Sequence, residues 1–345
     1  MAELTWPAVL TRLLGGSDLS TDASTWAMEQ ILGGEATPAQ IAGFLVALRS
    51  KGETVDEITA FVETMYRHAA PLEVEGRVVD IVGTGGDGAR TVNISTMAAV
   101  TIAGAGIRVV KHGNRASSSQ SGSADVLESL GVRLDVPVSD LGKVLDAVGI
   151  TFCFAPAFHP SMRFAGPTRK ELGIPTTFNF LGPLANPARP AAMAVGVSDI
   201  AVAPLMAGVF ARRGIDALVF RGDDGLDELT TATTSHVWTV AAGGVTEESF
   251  DPARLGIEPA GDGALTGGDA DFNADVFRRV IGGEKGAVRD AVLLNAAAGI
   301  AAFEAAPDSL EDRLAHGWER ATESIDTGSA ARVLEAWIAA TAEAI

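Results

Sequence analysis

Four stretches carry residue types that could do chemistry, and each stands where an apolar run gives way to a loop. The first is Val79 to Thr96, VDIVGTGGDGARTVNIST. Gly83, Gly85, Gly86 and Gly88 lack Cβ, so their backbone can take positive φ, approach a bound group closely and aim N–H groups at an anion. Asn93, Ser95 and Thr96 then start a helical pattern, and a helix start also favours phosphate. Read literally, Gly83-Thr84-Gly85-Gly86-Asp87-Gly88 meets the dinucleotide spacing G-x-G-x-x-G. Asp87 argues against that ligand, because a carboxylate inside the loop repels a pyrophosphate unless it serves a ribose hydroxyl or a metal. Where a dinucleotide fold wants an acid about 20 residues on, the chain has Lys111-His112. A phosphorylated sugar suits this loop better.

The second stretch is Val110 to Glu128, VKHGNRASSSQSGSADVLE, at the expected end of the next strand. Lys111, His112 and Arg115 are cationic or can become so, and Asn114, Ser117, Ser118, Ser119, Ser121 and Ser123 add short hydrogen-bonding side chains. Such a cluster fits a pyrophosphate, although a solvated serine loop has the same composition. The third, Ala155 to Pro187, sets His159, Arg163, Arg169 and Lys170 among Phe158, Met162, Phe164 and Leu181. That mixture can hold an aromatic acid, with its ring on apolar side chains and its carboxylate on a guanidinium. The fourth is Arg221 to Glu228, RGDDGLDE, where Asp223, Asp224, Asp227 and Glu228 crowd hard oxygen donors together. Mg²⁺ takes one or two carboxylates plus substrate oxygens, and the spacing is not that of an EF-hand loop.

These stretches need elements to position them. Residues 1 to about 70 read as four helices: Trp6 to Leu14, Ser24 to Leu32, and two more behind the capping boxes Thr37-Pro38-Ala39-Gln40 and Thr54-Val55-Asp56-Glu57. The last two carry apolar series at helical spacing, Ile41, Phe44, Leu45, Leu48 and Ile58, Phe61, Val62, Met65. From Val78 onward strands alternate with helices, which implies a parallel sheet with helices on both faces. Strands are expected at 78–82, 107–111, 150–154, 192–197 and 216–221. Helices are expected at 94–104, 123–130, 139–148 and 199–213, followed by three or four more from Asp271. Residues 160–190 hold Pro160, Pro167, Pro175, Pro183, Pro187 and Pro190 and fit no β-α unit, so they read as an excursion from the sheet.

The 345 residues, 47% of them hydrophobic, suffice for a small domain beside a large one. A net charge of −18 disfavours a nucleic-acid backbone or an anionic membrane surface as partner. One cysteine, Cys153, excludes an internal disulfide and fits a reducing cytosol. The N-terminus has no basic segment followed by an apolar one, and no apolar stretch is long enough to span a bilayer, so a cytoplasmic protein is expected.

Six motifs, in order and spacing over essentially the whole chain, resemble the anthranilate phosphoribosyltransferases. They are Gly83-Thr84-Gly85-Gly86-Asp87, Asn93-Ile94-Ser95-Thr96, Lys111-His112-Gly113-Asn114-Arg115, Phe158-His159-Pro160, Asn179-Phe180-Leu181-Gly182-Pro183-Leu184 and Asp224-Gly225-Leu226-Asp227-Glu228. Departures are slight: Gln120 stands at a variable position, and Thr230 replaces the commoner Ser. The resemblance implies a small all-α domain, residues 1–72 with 160–188, and a larger α/β domain, 73–159 with 189–345, built on a mainly parallel sheet as in nucleoside phosphorylases and phosphoribosyltransferases. It also implies a homodimer through the helical domains.

By that resemblance Gly83, Gly86, Asp87, Thr91, Asn93, Ile94, Ser95, Thr96, Lys111, His112, Gly113, Asn114, Arg115, Ala116, Ser117, Ser118, Ser119 and Ser123 form a phosphoribosyl pyrophosphate site. Gly83, Asn114, Arg169, His112 and His159 would contact anthranilate. Ser95, Asp227 and Glu228 would hold Mg²⁺, two ions with substrate bound. No residue is expected to act as acid or base, because an amine nucleophile loses its proton readily once the C–N bond forms; positioning and charge stabilisation dominate. A pyrimidine nucleoside phosphorylase shares such a build and loop but uses inorganic phosphate. A nucleic-acid-binding relative of the fold would need a basic face.

Overall fold

The computed structural model describes residues 4–116 and 120–344. The chain divides into two compact units, Met1–Pro71 with Ala155–Pro187, and Leu72–Phe154 with Ala188–Ile345.

The first unit is helical. Helices Trp6–Leu14, Thr21–Leu32, Pro38–Lys51 and Val55–His68 are joined by the shorter Ala155–Phe158, Gly166–Leu172 and Phe178–Leu184. Both capping boxes form, with Thr37 and Gln40, and Thr54 and Glu57, each satisfying the other's backbone N–H. Glu57 reaches further. Its fully buried carboxylate accepts from Leu19 N at 2.8 Å and from Lys51 Nζ at 3.0 Å, so one cap also fixes the loop before the second helix. Trp6, Trp26, Phe44 and Phe61 form a chain of ring contacts, with centroids 5.3 to 5.9 Å apart, through the middle of the bundle.

The second unit is a seven-stranded sheet flanked by helices. Its strands are β1 (Val79–Gly83), β2 (Val109–Gly113), β3 (Ile150–Phe154), β4 (Ala192–Gly196), β5 (Asp216–Gly222), β6 (Ser235–Ala241) and β7 (Gly244–Phe250), in the spatial order β3-β2-β1-β4-β5-β6-β7. Strands β1 to β5 are parallel, while β6 and β7 add an antiparallel edge. The chain proceeds from β1 outward to β2 and β3, then returns to the other side of β1 for β4 and β5. That reversal is the kind of point at which open parallel sheets bind ligands, beyond the carboxyl ends of the strands.

The helices Ile94–Gly104 and Ala287–Glu304 are apolar nearly all round and pack on the sheet and on each other, which explains their lack of an amphipathic pattern. Three features differ from the sequence reading. Strand β2 starts at Val109, two residues later than expected, because Gly106 holds a turn at φ +84° before it, and it ends at Gly113, so His112 joins Lys111 inside the strand. The helix expected at 199–213 is Ala203–Arg212: Pro204 sets its first turn, and Asp199 accepts from Ala201 N in a separate turn at 3.0 Å. The β6–β7 hairpin was not expected at all. Its two-residue turn is Ala242-Gly243, and Ala242 adopts φ +49°, a conformation that Asn, Asp or Gly would advertise and Ala does not. Strand β7, GVTEESF, is exposed along six of its seven residues and shows no apolar alternation.

Candidate active site

Gly83 and Gly196 end β1 and β4 and are register partners. A Cβ built on Gly83 would stand 2.3 Å from Asp227 Oδ2, and one on Gly196 would stand 1.6 Å from the Asp227 carbonyl oxygen. Only glycine at both places lets the Asp227-Glu228 backbone lie across the strand ends. Asp227 Oδ2 accepts from Gly85 N at 2.7 Å, so the acidic segment also anchors the glycine loop. That loop is held from its other side by Ser198, whose Oγ donates to Gly85 O at 2.8 Å and whose N donates to Thr84 Oγ1 at 3.1 Å. Gly85, Gly86 and Gly88 take φ of +71°, +87° and +74°. Asp87 closes a turn by accepting from Ala89 N at 3.1 Å.

The four clustered carboxylates separate into two kinds. Asp223 accepts the Thr234 hydroxyl, and Asp224 accepts Thr230 Oγ1 at 2.6 Å and Leu226 N at 3.1 Å, so both shape their own loop. Asp227 and Glu228 face the strand ends. Burial, with the neighbouring Asp87 carboxylate, pushes Asp227 up to about 7, against the lowering effect of the Gly85 N–H. Burial and the adjacent Asp227 push Glu228 well above the ordinary range, opposed by Lys111 and the Ser95 N–H. Asp87, Asp227 and Glu228 thus crowd one end of the sheet with like charge.

Lys111 is fully buried on β2. Its Nζ donates to Ile81 O at 2.6 Å and Ser95 Oγ at 3.3 Å, and burial lowers its pKa despite the attraction of Asp80 and Glu228. It is an interior side chain, where the sequence reading grouped it with the donors of an anion site at the strand end. His112 is buried beside it, its backbone N donating to Asp80 Oδ1 at 3.1 Å.

The helix Ile94–Gly104 begins over this network, with Ile94, Ser95 and Thr96 in its first turn. Asn93 precedes it but does not cap it through its side chain. Its Nδ2 donates instead to Ser121 O at 3.1 Å, and its Oδ1 accepts from Asn273 Nδ2 at 2.9 Å. Asn273, buried on the helix Ala270–Ile281, also accepts from Gly268 N at 2.8 Å. Thr91 pairs with Thr266 in an isolated antiparallel bridge.

After β2, Gly113 leads into Asn114, whose Oδ1 accepts from Arg115 N at 2.7 Å. Asp125 organises the rest, accepting from Ala116 N at 2.9 Å and Gly122 N at 2.8 Å, while Ser123 starts the helix Ser123–Leu130. Arg115 is exposed, yet its guanidinium is paired with Asp125 and Glu128 and lies 5.5 Å from the Phe154 ring centroid. Ser117, Ser118 and Ser119 lie outside the described residues.

In the helical unit, Arg169 sits on Gly166–Leu172, half-buried, 5.4 Å from the centroid of the Phe178 ring and with no carboxylate partner among the described residues; burial lowers its pKa. His159 is buried and donates from Nε2 to Ala185 O at 2.9 Å, and burial keeps the ring neutral near pH 7. Gly196, Ser198, Asp125 and Asn273 are site-shaping residues that the sequence reading did not single out. Gly196 had a signal, as a glycine closing an apolar strand; the others had none beyond residue type.

Asp227, Glu228 and the Ser95 hydroxyl offer hard oxygen donors, a chemistry that fits Mg²⁺ rather than a softer metal. Among the described residues no group of three His, Cys, Asp or Glu side chains converges on one point.

Residues 75–331 match the α/β domain of a glycosyl transferase family, and residues 7–69 match that family's helical bundle domain. The anthranilate phosphoribosyltransferase of Nocardioides sp. is 63% identical over 338 residues, covering 98% of this chain and 99% of that protein. The enzyme of that name from Streptomyces griseus is 58% identical, covering 99% and 96%. The crystal structure of anthranilate phosphoribosyltransferase from Thermus thermophilus is similar with a TM-score of 0.90 at 40% identity, covering 97% of this chain and 99% of that one. The Saccharomyces cerevisiae enzyme in complex with phosphoribosyl pyrophosphate and Mg gives a TM-score of 0.88 at 28% identity, covering 99% of both.

The raised pKa of Asp227 has a measurable consequence. Between its ordinary value near 3.8 and about 7, the folded chain holds a proton that the unfolded chain has lost. The stability this group contributes is therefore complete below its unfolded pKa and lost as pH rises through about 7. In metal chelator, thermal unfolding of the wild type should fall more between about pH 5 and pH 8 than that of Asp227→Asn. Parallel pH profiles would contradict the burial of this carboxylate.

Proposed function

The chain belongs to the anthranilate phosphoribosyltransferases of tryptophan biosynthesis, which transfer the phosphoribosyl group of 5-phosphoribosyl 1-pyrophosphate to the amino group of anthranilate, and on that premise we propose how its residues do so. The observation that carries the reading is the meeting of the glycine loop with Asp227 and Glu228 on the ends of β1 and β4. Gly83, Gly86, Asp87, Thr91, the Asn93–Thr96 turn and the segment from His112 through Ser119, with Ser123, hold phosphoribosyl pyrophosphate. The glycine N–H groups and the start of the helix Ile94–Gly104 face the phosphates, and Asp87 takes a ribose hydroxyl or a metal-bound water. Lys111 supports this surface from below and stabilises Glu228, not the substrate directly.

Asp227, Glu228 and Ser95 would hold Mg²⁺, which supplies positive charge to the departing pyrophosphate. Two ions suit the pair because Asp227 is directed to the glycine loop and Glu228 to the helix start; the yeast relative's complex with phosphoribosyl pyrophosphate and Mg supports the metal's identity. Anthranilate attacks the anomeric carbon through its amino group as the bond to pyrophosphate breaks, and the amine proton leaves after the C–N bond has formed. Arg169 would take the anthranilate carboxylate, and Asn114 and Gly83 would contact the ring's polar edge. His112 and His159 orient the substrate. The bond from His159 Nε2–H to the Ala185 carbonyl fixes the orientation of its ring.

The helical unit would form a homodimer. Leu4, Leu14 and Val46 are exposed on it, and a groove beside the first two helices is lined by Pro7, Ala8, Val9, Leu19 and Ala23. No helix among the described residues is long and apolar enough to cross a membrane.

Incubation with anthranilate, phosphoribosyl pyrophosphate and Mg²⁺ should quench anthranilate fluorescence, and Asp227→Asn/Glu228→Gln should slow this by on the order of 100-fold while raising the Mg²⁺ requirement. Wild-type turnover with unchanged Mg²⁺ dependence in that variant would refute the metal assignment. Arg169→Ala should raise the KM for anthranilate by about 10- to 100-fold, the loss of one charge-assisted pair, with little change for phosphoribosyl pyrophosphate. Equal changes in both would instead indicate a folding defect. Light scattering should give about twice 35.5 kDa, and a fully active monomer would end the dimer proposal.

A further inference from the structure

In the helix Ala287–Glu304 the buried run from Ala291 to Ala302 reads AVLLNAAAGIAA, and Asn295 is its one polar side chain. Asparagine is a weak helix former, and a buried amide without partners is costly, so its presence there calls for a physical account. Asn295 is fully buried and all its bonds go to backbone. Its Oδ1 accepts from Leu229 N at 2.9 Å, while its Nδ2 donates to Leu229 O at 3.0 Å and to Ala291 O at 2.9 Å. One side chain thus satisfies both backbone polar groups of Leu229, as a neighbouring strand would.

Leu229 follows Glu228 directly. Thr230 and Leu226 to Asp224 and Thr234 to Asp223 are bonds internal to this loop, and its outward bonds, Asp227 Oδ2 to Gly85 N and Thr231 O to Ala260 N, go to other loops. Asn295 ties it to a helix packed on β1, β4 and β5, the first two of which end in the glycines under Asp227. We propose that Asn295 is a positioning residue that fixes Leu229, and through it the Asp227-Glu228 pair, at the distance from β1 and β4 that metal binding requires. The proposal rests on the reading of that pair as the Mg²⁺ ligands.

Two variants test it. Asn295→Ala removes the amide, and Asn295→Leu removes it while refilling its volume, so the second preserves packing if the first does not fold. The Mg²⁺ concentration for half-maximal activity should rise by about 10- to 100-fold in either, the effect found when the residues that orient metal ligands are lost, while the KM for anthranilate stays within about twofold. Ser324→Ala removes a comparably buried bond, Ser324 Oγ to Thr101 O at 2.7 Å, on a different helix, and should lower the melting temperature without moving the Mg²⁺ requirement. On the Asp227→Asn/Glu228→Gln background, Asn295→Leu should add nothing further to the Mg²⁺ requirement, because its effect passes through the pair. If the acid variant shifts the Mg²⁺ requirement and the Asn295 variants do not, the positioning role is wrong and the metal reading stands. An acid variant without any shift overturns both. If neither Asn295 variant folds, Asn295 is a determinant of folding and the proposal fails.

Discussion

Two adjacent carboxylates, Asp227 and Glu228, are pressed onto the carboxyl ends of β1 and β4, and most of the large unit's irregular structure follows from accommodating them. The Asp227 carboxylate leaves no room for a side chain at Gly83, and the Asp227 backbone leaves none at Gly196. The charge of the pair is met incompletely by a loop amide, a helix-start amide and one buried ammonium, Lys111. In a chain of net charge −18, the proposed pyrophosphate site would thus carry like charge of its own. The conflict is resolved if the site is half of a charge pattern completed by a cation, with the glycine loop and the helix Ile94–Gly104 offering N–H groups on one side and the acids offering oxygen on the other.

The arrangement also accounts for where the site lies. At the reversal of strand order, β1 and β4 send their following segments in different directions, so their ends are left open for a third segment to cover. The β5–β6 loop does so. Its length is stabilised by Asp223 and Asp224, whose carboxylates serve its own hydroxyls and amides and leave the second pair of acids for the strand ends. A chemical division runs through the chain as well. The large unit carries the anion-binding backbone and the acids, and the helical unit carries Arg169 against Phe178 and the neutral His159.

The parts of this that were legible in the sequence are those where one local rule dominates. The Thr37 and Thr54 capping boxes, the glycine loop after an apolar strand, and the parallel β-α alternation each follow from short-range patterning, and they appear as read. The acidic run showed that carboxylates were clustered, but not which of the four face the strands, since that depends on Thr230 and Thr234 folding back onto Asp224 and Asp223. Lys111 and Arg115 illustrate the same limit from the other side. Both read as cations for an anion site; Lys111, on the expected strand, turns its Nζ inward to Ile81 O and is fully buried, and Arg115 is paired with Asp125 and Glu128. Long-range partners such as Asn273 for Asn93 leave no trace in local sequence. The β6–β7 hairpin escaped notice for a backbone reason, the unadvertised left-handed Ala242.

The central claim is that the acidic pair opposes the pyrophosphate until a divalent cation joins them, and its sharpest test is a crossover in binding. Calorimetric titration of phosphoribosyl pyrophosphate at about pH 8 into the wild type and into Asp227→Asn/Glu228→Gln, first in chelator and then with saturating Mg²⁺, separates repulsion from metal bridging. The neutralised variant should bind more tightly than the wild type in chelator, because the carboxylate charge of the pair is gone, and more weakly than the wild type with Mg²⁺, because the cation has lost its ligands. If the two proteins keep the same order of affinity under both conditions, the pair does not act on the pyrophosphate through a cation and the account is wrong.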